Sequence, residues 1–153
     1  MTLYLDTSSL VKLYVAETGS DDVQQLVREA TVVSTSPVAY AETRAAFARL
    51  RRERVLTPQR FASVKRELDV HWPAYLTVEV TDALCRTAGH LAEQYSLRGF
   101  DSLHLASFAE IAASAGIDDT RFSSFDDRLN RAAVKLTRTL VRAAQTPSPS
   151  SST

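Results

Sequence analysis

Acidic residues occupy four positions where the neighbouring sequence does not explain a negative charge: Asp6, Glu42, Asp101 and Asp126. Glu42 is the clearest case, because on a helix its neighbours three and four residues away are all valine or alanine. A carboxylate that is buried without a partner costs several kcal/mol or stays protonated. Arg49, two helical turns later, offers one ordinary partner for Glu42. The other interpretation is that Glu42 belongs to a group of converging side chains that binds a ligand.

Two of these acids stand where predicted strands end. Asp6 closes a first strand at residues 2–6, and Asp126 directly follows a strand at residues 121–125. In open α/β sheets, ligands bind outside the carboxyl ends of the strands, so both acids should lie at the same edge. Asp101 begins a predicted helix and can face that edge as well.

Asp126 is a better candidate than its neighbour Asp127. Leu129 and Ala133 lie on the same side of a helix as Asp126, which turns that side inward. Asp127 has Arg131 four residues later, a spacing typical of an exposed ion pair on a helix. Asp126 is therefore assigned to the site and Asp127 to the surface.

Carboxylates that converge on one edge repel each other, and a divalent cation removes that repulsion. Carboxylate oxygens are hard ligands that suit Mg²⁺ or Mn²⁺. Such a cation orients a water molecule, lowers the pKa of that water and offsets charge that builds on a phosphate. The acids therefore predict metal-assisted hydrolysis, provided that the fold brings these distant residues together.

Strand-like and helical segments alternate along the chain. Strands are predicted at residues 2–6, 31–35, 76–81 and 121–125, with helical segments between them. This alternation predicts an α/β fold in which helices cover both faces of a parallel sheet. Residues 134–144 contain no glycine and suit either a strand or a helix, so we expect four to five strands.

The composition is that of one globular domain. The chain has 153 residues and equal numbers of acidic and basic residues, 18 of each. Strong nucleic-acid binding usually accompanies a basic excess, so any nucleic acid must meet a local patch, a metal or a partner. We expect a domain at residues 1–145 and a disordered tail at residues 146–153, which are rich in serine and proline.

The remaining features of the composition give further expectations. Cys85 is the only cysteine and, beside Leu84 and Ala88 on a helix, is expected to be a small core residue. The chain opens directly on a strand-like run, and no apolar stretch is long enough to cross a bilayer. A cytoplasmic protein without a membrane partner is therefore expected.

The segments around the four acids resemble those of PIN-domain proteins. They are LYLDTSSLVKLYVAE at 3–17, AETRAAF at 41–47, LRGFDSLHLA at 97–106 and FSSFDDRLNRAA at 122–133. Their order and spacing are similar to those of VapC-type toxins from bacterial toxin–antitoxin pairs. The resemblance covers residues 3–133, and the segment around Asp101 is its most specific part.

The resemblance implies a fold, an activity and partners. The fold is a three-layer α/β/α PIN-like domain, and the activity is that of a Mg²⁺- or Mn²⁺-dependent endoribonuclease. Asp6, Glu42, Asp101 and Asp126 would bind the metal or activate water, and the hydroxyls of Ser8 and Ser124 would support them. The implied partners are RNA as substrate, a second copy in a homodimer, and a VapB-type antitoxin whose tail occupies the groove.

Basic residues near the same edge are candidates for contact with the substrate. His104, three residues after Asp101, is either such a contact or a packed, hydrogen-bonded histidine. Arg98 and Lys12 are further candidates. A basic cluster follows Glu42, and it is either a solvated face or a contact for RNA or the antitoxin: Arg44, Arg49, Arg51, Arg52 and Arg54.

Two other function classes are compatible with parts of this pattern. A haloacid-dehalogenase-type phosphatase also has an aspartate after its first strand, but it requires a second aspartate where this chain has Ser8. A PIN-like module that binds RNA or an antitoxin without cleaving RNA would retain the same acids. Substitution of Asp6 or Asp101 by alanine distinguishes this second alternative from an enzyme.

Overall fold

The computed structural model of the chain describes residues 1–145, so the predicted disordered tail at 146–153 lies outside the described residues. The strands are β1 (Thr2–Leu5), β2 (Val32–Thr35), β3 (Leu76–Thr77) and β4 (Thr120–Ser123). The helices are α1 (Thr7–Val11), α2 (Ser20–Glu29), α3 (Val38–Arg52), α4 (Pro58–His71), α5 (Asp82–Tyr95), α6 (Gly99–Ala115) and α7 (Asp127–Gln145). Short 3₁₀ turns at Trp72–Ala74 and Ile117–Asp119 precede β3 and β4.

The strands form one parallel sheet in the order β3-β2-β1-β4. This confirms the predicted α/β class and a central parallel sheet of four strands. The segment 134–144, which the sequence left open, is helical and belongs to α7. Leu129, Ala133 and Leu136 are buried at helical spacing along α7, which explains why this segment does not add a strand in residues 1–145.

Both faces of the sheet are covered, and β1 shows how the sequence achieves this. Leu3 and Leu5 point to one face, where they pack in a cluster with residues of α1, α2, α3 and α4. Tyr4 points to the opposite face and packs with residues of α5, α6 and α7. A strand that is apolar at every position suits a sheet with two buried faces. The result is the three-layer α/β/α arrangement that the sequence predicted.

The carboxyl ends of β1 and β4 lie side by side. The backbone N–H of Asp6, just after β1, donates to the carbonyl of Ser123 at the end of β4, with a distance of 3.1 Å. The residues that follow these two strands therefore meet at one edge of the sheet. Helix α6 packs against both strands and directs its first turn towards the same edge.

Two expectations about the edge strand and the following helix are wrong. The third strand was predicted at residues 76–81 but ends at Thr77. Thr81 instead caps α5, and its side chain accepts a hydrogen bond from the N–H of Leu84. Cys85 was expected in the core but is exposed, because Leu84 and Ala88 form the buried stripe of α5 and Cys85 lies outside it.

None of the helices that the structure describes combines the length and the apolar character needed to span a bilayer.

Candidate active site

All four acids picked out in the sequence line a single open cleft of about 680 Å³. Asp6 follows β1, and Asp126 lies between β4 and α7. Glu42 lies on α3, and Asp101 lies in the first turn of α6. The structure therefore brings together residues that are far apart in the sequence.

Asp6 is the most deeply buried of these acids, with an exposed fraction of 4%. One of its carboxylate oxygens accepts the N–H of Ser9 at 2.9 Å, which caps α1. The hydroxyl of Ser8 donates to the carboxylate at 2.7 Å, and that of Ser124 donates at 2.6 Å. The two serines proposed as supporting hydroxyls thus both bind Asp6.

Burial raises the pKa of the Asp6 carboxyl, although the hydrogen bonds from Ser124, Ser9 and Ser8 oppose this effect. Each of these hydrogen bonds comes from a hydroxyl or a backbone N–H, which are neutral donors. The ionised carboxylate therefore lacks a positive charge bonded directly to it. A cation at this position would stabilise the charged form.

Glu42 has two side-chain partners, but Arg49 is not one of them. The Arg49 guanidinium lies 3.9 Å from Glu53 instead. The Thr7 hydroxyl donates to Glu42, and Nε2 of His104 lies 2.9 Å from the same carboxylate oxygen. Burial alone would raise the pKa of Glu42. The hydrogen bonds from His104 and Thr7, together with positive charge that includes the Arg98 guanidinium, leave this pKa below its usual value.

His104 connects this acid to the core of the domain. Its side chain is buried, and its Nδ1 atom lies 3.0 Å from the Tyr4 hydroxyl. A neutral ring satisfies both contacts if the Tyr4 hydroxyl donates to Nδ1 and Nε2–H donates to Glu42. Both ring nitrogens are then occupied, so the geometry favours a hydrogen-bonded histidine that orients Glu42 over direct contact with substrate.

Asp101 and Asp126 share one positively charged partner. Arg98 places its Nε 2.7 Å from Asp101 and a terminal nitrogen 3.5 Å from Asp126. Asp126 also accepts the N–H of Leu129 at 2.8 Å, so it caps α7 as well as facing the cleft. Asp127 beside it is exposed, as predicted.

Carboxylate and hydroxyl oxygens suit a hard divalent cation, and the buried charge of Asp6 adds to that fit. Within residues 1–145, however, no three Asp, Glu, His or Cys side chains are placed to hold one ion together. Several of the carboxylate oxygens accept hydrogen bonds from protein donors, and the Arg98 guanidinium supplies the positive charge between Asp101 and Asp126. A cation at these two acids would compete with the Arg98 guanidinium for their oxygens.

Lys12 lines the same cleft, but its amine already binds other groups of the protein. Its amine lies 2.8 Å from both the Glu17 carboxylate and the Thr18 carbonyl. It also lies 4.4 Å from the centre of the Phe125 ring. Lys12 therefore anchors the segment after α1, and contact with substrate would require it to leave these partners.

Sequence reasoning did not identify the partners of Glu42. Thr7 and Glu42 are separated by 35 residues, and Glu42 and His104 by 62. No local spacing indicates such contacts. The available signals were that Thr7 directly follows the strand-end Asp6 and that His104 lies three residues after Asp101.

The comparisons with known proteins agree with this geometry. The family model of the PIN domain matches residues 3–135. Ribonuclease VapC45 and ribonuclease VapC49, from two strains of Mycobacterium tuberculosis, are each 40% identical to this chain over 105 residues. The match covers 69% of this chain and 73% of each relative.

The fold also resembles a solved structure, the crystal structure of PAE2754 from Pyrobaculum aerophilum. The two share a TM-score of 0.58 at 18% identity, and the match covers 95% of this chain and all of the other. At this identity the likeness concerns the fold alone, whereas the family model and the two ribonucleases concern the sequence. The chain belongs to the PIN-domain family, among its VapC-type members.

Proposed function

We propose that this chain is an endoribonuclease that hydrolyses RNA phosphodiester bonds with Mg²⁺ or Mn²⁺ bound in the acidic cleft. The observation that carries the proposal is the meeting of Asp6, Glu42, Asp101 and Asp126 on one open cleft. The two VapC relatives are both named ribonucleases, which supports RNA as the substrate.

The chain's own residues would prepare the cleft for this reaction. Ser8 and Ser124 fix the carboxylate of Asp6, and His104 fixes that of Glu42. Asp6, Glu42, Asp101 and Asp126 would hold the cation or accept a proton from water. When bound, the cation supplies a polarised water and neutralises charge on the phosphate.

The biological role follows from the VapC-type membership. The chain acts as the toxin of a type II toxin–antitoxin pair, and we propose a VapB-type antitoxin as its partner and the cytoplasm as its location. We also propose a homodimer. A mostly apolar cleft of about 670 Å³ between α5 and the start of α6, which Glu42, Arg98 and Asp101 also border, supports this, since Phe100 at its edge is 56% exposed and a second copy would cover it.

One observation favours the alternative of a PIN-like module that binds RNA or an antitoxin without cleaving it. The Arg98 guanidinium bridges Asp101 and Asp126, where a cation would otherwise neutralise both acids. If Arg98 kept this position permanently, these acids would have a structural role only. An assay of activity in cells separates the two candidates.

The test is induced expression in a bacterial host, followed by mapping of new RNA 5′ ends. We expect the wild type to arrest growth and to produce discrete new ends, and Asp6→Asn to do neither. Asp127→Asn is the matched control, because Asp127 is exposed and does not line the cleft, and it should behave as the wild type. Equal toxicity of the wild type and Asp6→Asn would refute the catalytic assignment.

A further inference from the structure

The structure divides the basic cluster at the end of α3 into two groups. Arg49 and Arg52 line the acidic cleft, whereas Arg44, Arg51 and Arg54 do not. Arg44 is turned towards α4, where its guanidinium lies 2.7 Å from the Tyr40 hydroxyl and 3.5 Å from Asp69. Only part of the cluster can therefore act together with the acids.

Arg49 and Arg52 continue the face of α3 that carries Glu42. Ala45 and Ala46 also line the cleft, and the spacing of three to four residues places all five on one side of the helix. At 1.5 Å per residue, Arg49 and Arg52 lie about 10 Å and 15 Å along the helix axis from Glu42. The two alanines between them have small side chains, so an extended ligand can approach the helix closely.

These two arginines are less engaged than the other cations of the cleft. Lys12 is bonded to Glu17 and Thr18, and Arg98 is bonded to Asp101 and Asp126, as described above. Arg49 is 63% exposed, and its one partner among the described residues 1–145 is Glu53, at 3.9 Å. Within residues 1–145, the exposed side chain of Arg52 makes no hydrogen bond or ion pair.

We propose that Arg49 and Arg52 bind the phosphate backbone of a single RNA strand that leaves the acidic cleft along α3. This inference rests on the proposed function, since it assumes that RNA is the ligand of the cleft. The guanidinium fork matches a phosphate group, and such contacts position a strand without reading its sequence. They also explain how a chain of zero net charge binds a polyanion, because the positive charge is local.

The test measures RNA binding directly, in a background where cleavage is blocked by Asp101→Asn. A labelled single-stranded RNA is titrated at several salt concentrations against the double variant Arg49→Gln/Arg52→Gln. The matched control is Arg51→Gln/Arg54→Gln, which removes the same charge from the same end of α3 but outside the cleft. Circular dichroism and urea unfolding check that both doubles are folded.

For single strands, each neutralised phosphate contributes about 0.7 to the slope of log affinity against log salt. Loss of both contacts should therefore reduce that slope by about 1.4. We expect the affinity for RNA at low salt to fall on the order of tenfold for Arg49→Gln/Arg52→Gln, the cleft double, and less than twofold for the control. Equal losses in the two doubles would overturn the proposal, because the effect would then depend on net charge alone.

A protein partner is the competing occupant of this surface. If the cleft double binds RNA as the parent does but is no longer neutralised by a co-expressed antitoxin, the arginines serve protein docking and the proposal is wrong. In the cleaving protein, the cleft double should raise KM more than it lowers kcat. Absence of cleavage by the wild type would instead contradict the proposed function, whatever the binding experiment shows.

Discussion

Replacement of Arg98 by glutamine should strengthen the binding of a divalent cation to this protein. The Arg98 guanidinium lies 2.7 Å from Asp101 and 3.5 Å from Asp126, so it competes with a metal for the oxygens of both acids. Arg98→Gln removes this competitor and leaves a shorter, neutral side chain that is still polar. Removal of this one side chain from the site should therefore improve metal binding.

The expected gain is modest, since the Arg98 side chain is 73% exposed. Exposed ion pairs are worth about 0.2–1 kcal/mol, and this energy is lost when the pair opens. Repulsion between a displaced guanidinium that stays close by and the bound cation adds a contribution of similar size in water. Together these effects predict a gain of about 1 kcal/mol, or roughly fivefold in affinity.

Titration calorimetry with Mn²⁺ in the absence of RNA measures this directly. Arg128→Gln is the control, because Arg128 borders the same group of acids, but the one hydrogen bond that its guanidinium makes within the described part of the chain is to the carbonyl of Ser96, at 3.4 Å. We expect little change in the control. If Arg98→Gln binds Mn²⁺ no better than the wild type, Arg98 does not compete with the cation. If Arg128→Gln gains as much affinity as Arg98→Gln, the gain comes from the change in net charge and not from the loss of the Arg98 contacts.

Four further predictions concern stability. Phe47→Ala removes a fully buried ring and should lower the free energy of unfolding by about 3–5 kcal/mol in urea titrations. The pKa of Asp6 is raised from 3.8, so the stabilisation that protonated Asp6 gives is present below that pH and is lost as pH rises through the raised pKa; without metal, the stability of the wild type relative to Asp6→Asn should therefore fall between pH 3 and 7. Mn²⁺ should raise the melting temperature of the wild type but not of Asp6→Asn, and equal shifts would place the metal elsewhere. The pKa of Glu42 is lowered from 4.5, so the stability advantage of the wild type over Glu42→Gln should exist above that pH and disappear as pH falls through the lowered pKa; a constant difference between pH 3 and 7 would contradict this.

The positions of the acids could be predicted because they depend on strand ends. Asp6 and Asp126 follow parallel strands, and parallel strands bring their carboxyl ends to one edge of a sheet. Glu42 was identified by its apolar helical neighbours, a signal that is local in sequence. The order of the strands was not predicted, because the sequence does not show which parallel strands are adjacent.

The contacts within the site were harder to predict, because they join residues that are distant in the chain. The hydrogen bond between Glu42 and His104 depends on how α3 and α6 pack against the sheet. The link from Arg98 to Asp126 spans 28 residues and depends on the position of α7. The exposure of Cys85 was missed because a shift of one position on a helix turns a side chain by about 100°.

The most direct test of the central claim is cleavage of total RNA by the purified chain. The reactions contain wild-type protein with Mn²⁺, wild-type protein with EDTA, or Asp101→Asn with Mn²⁺. We expect discrete fragments in the first reaction alone, because the proposed hydrolysis needs a cation held by the acids that line the cleft. Cleavage that persists both with EDTA and in Asp101→Asn would contradict the account.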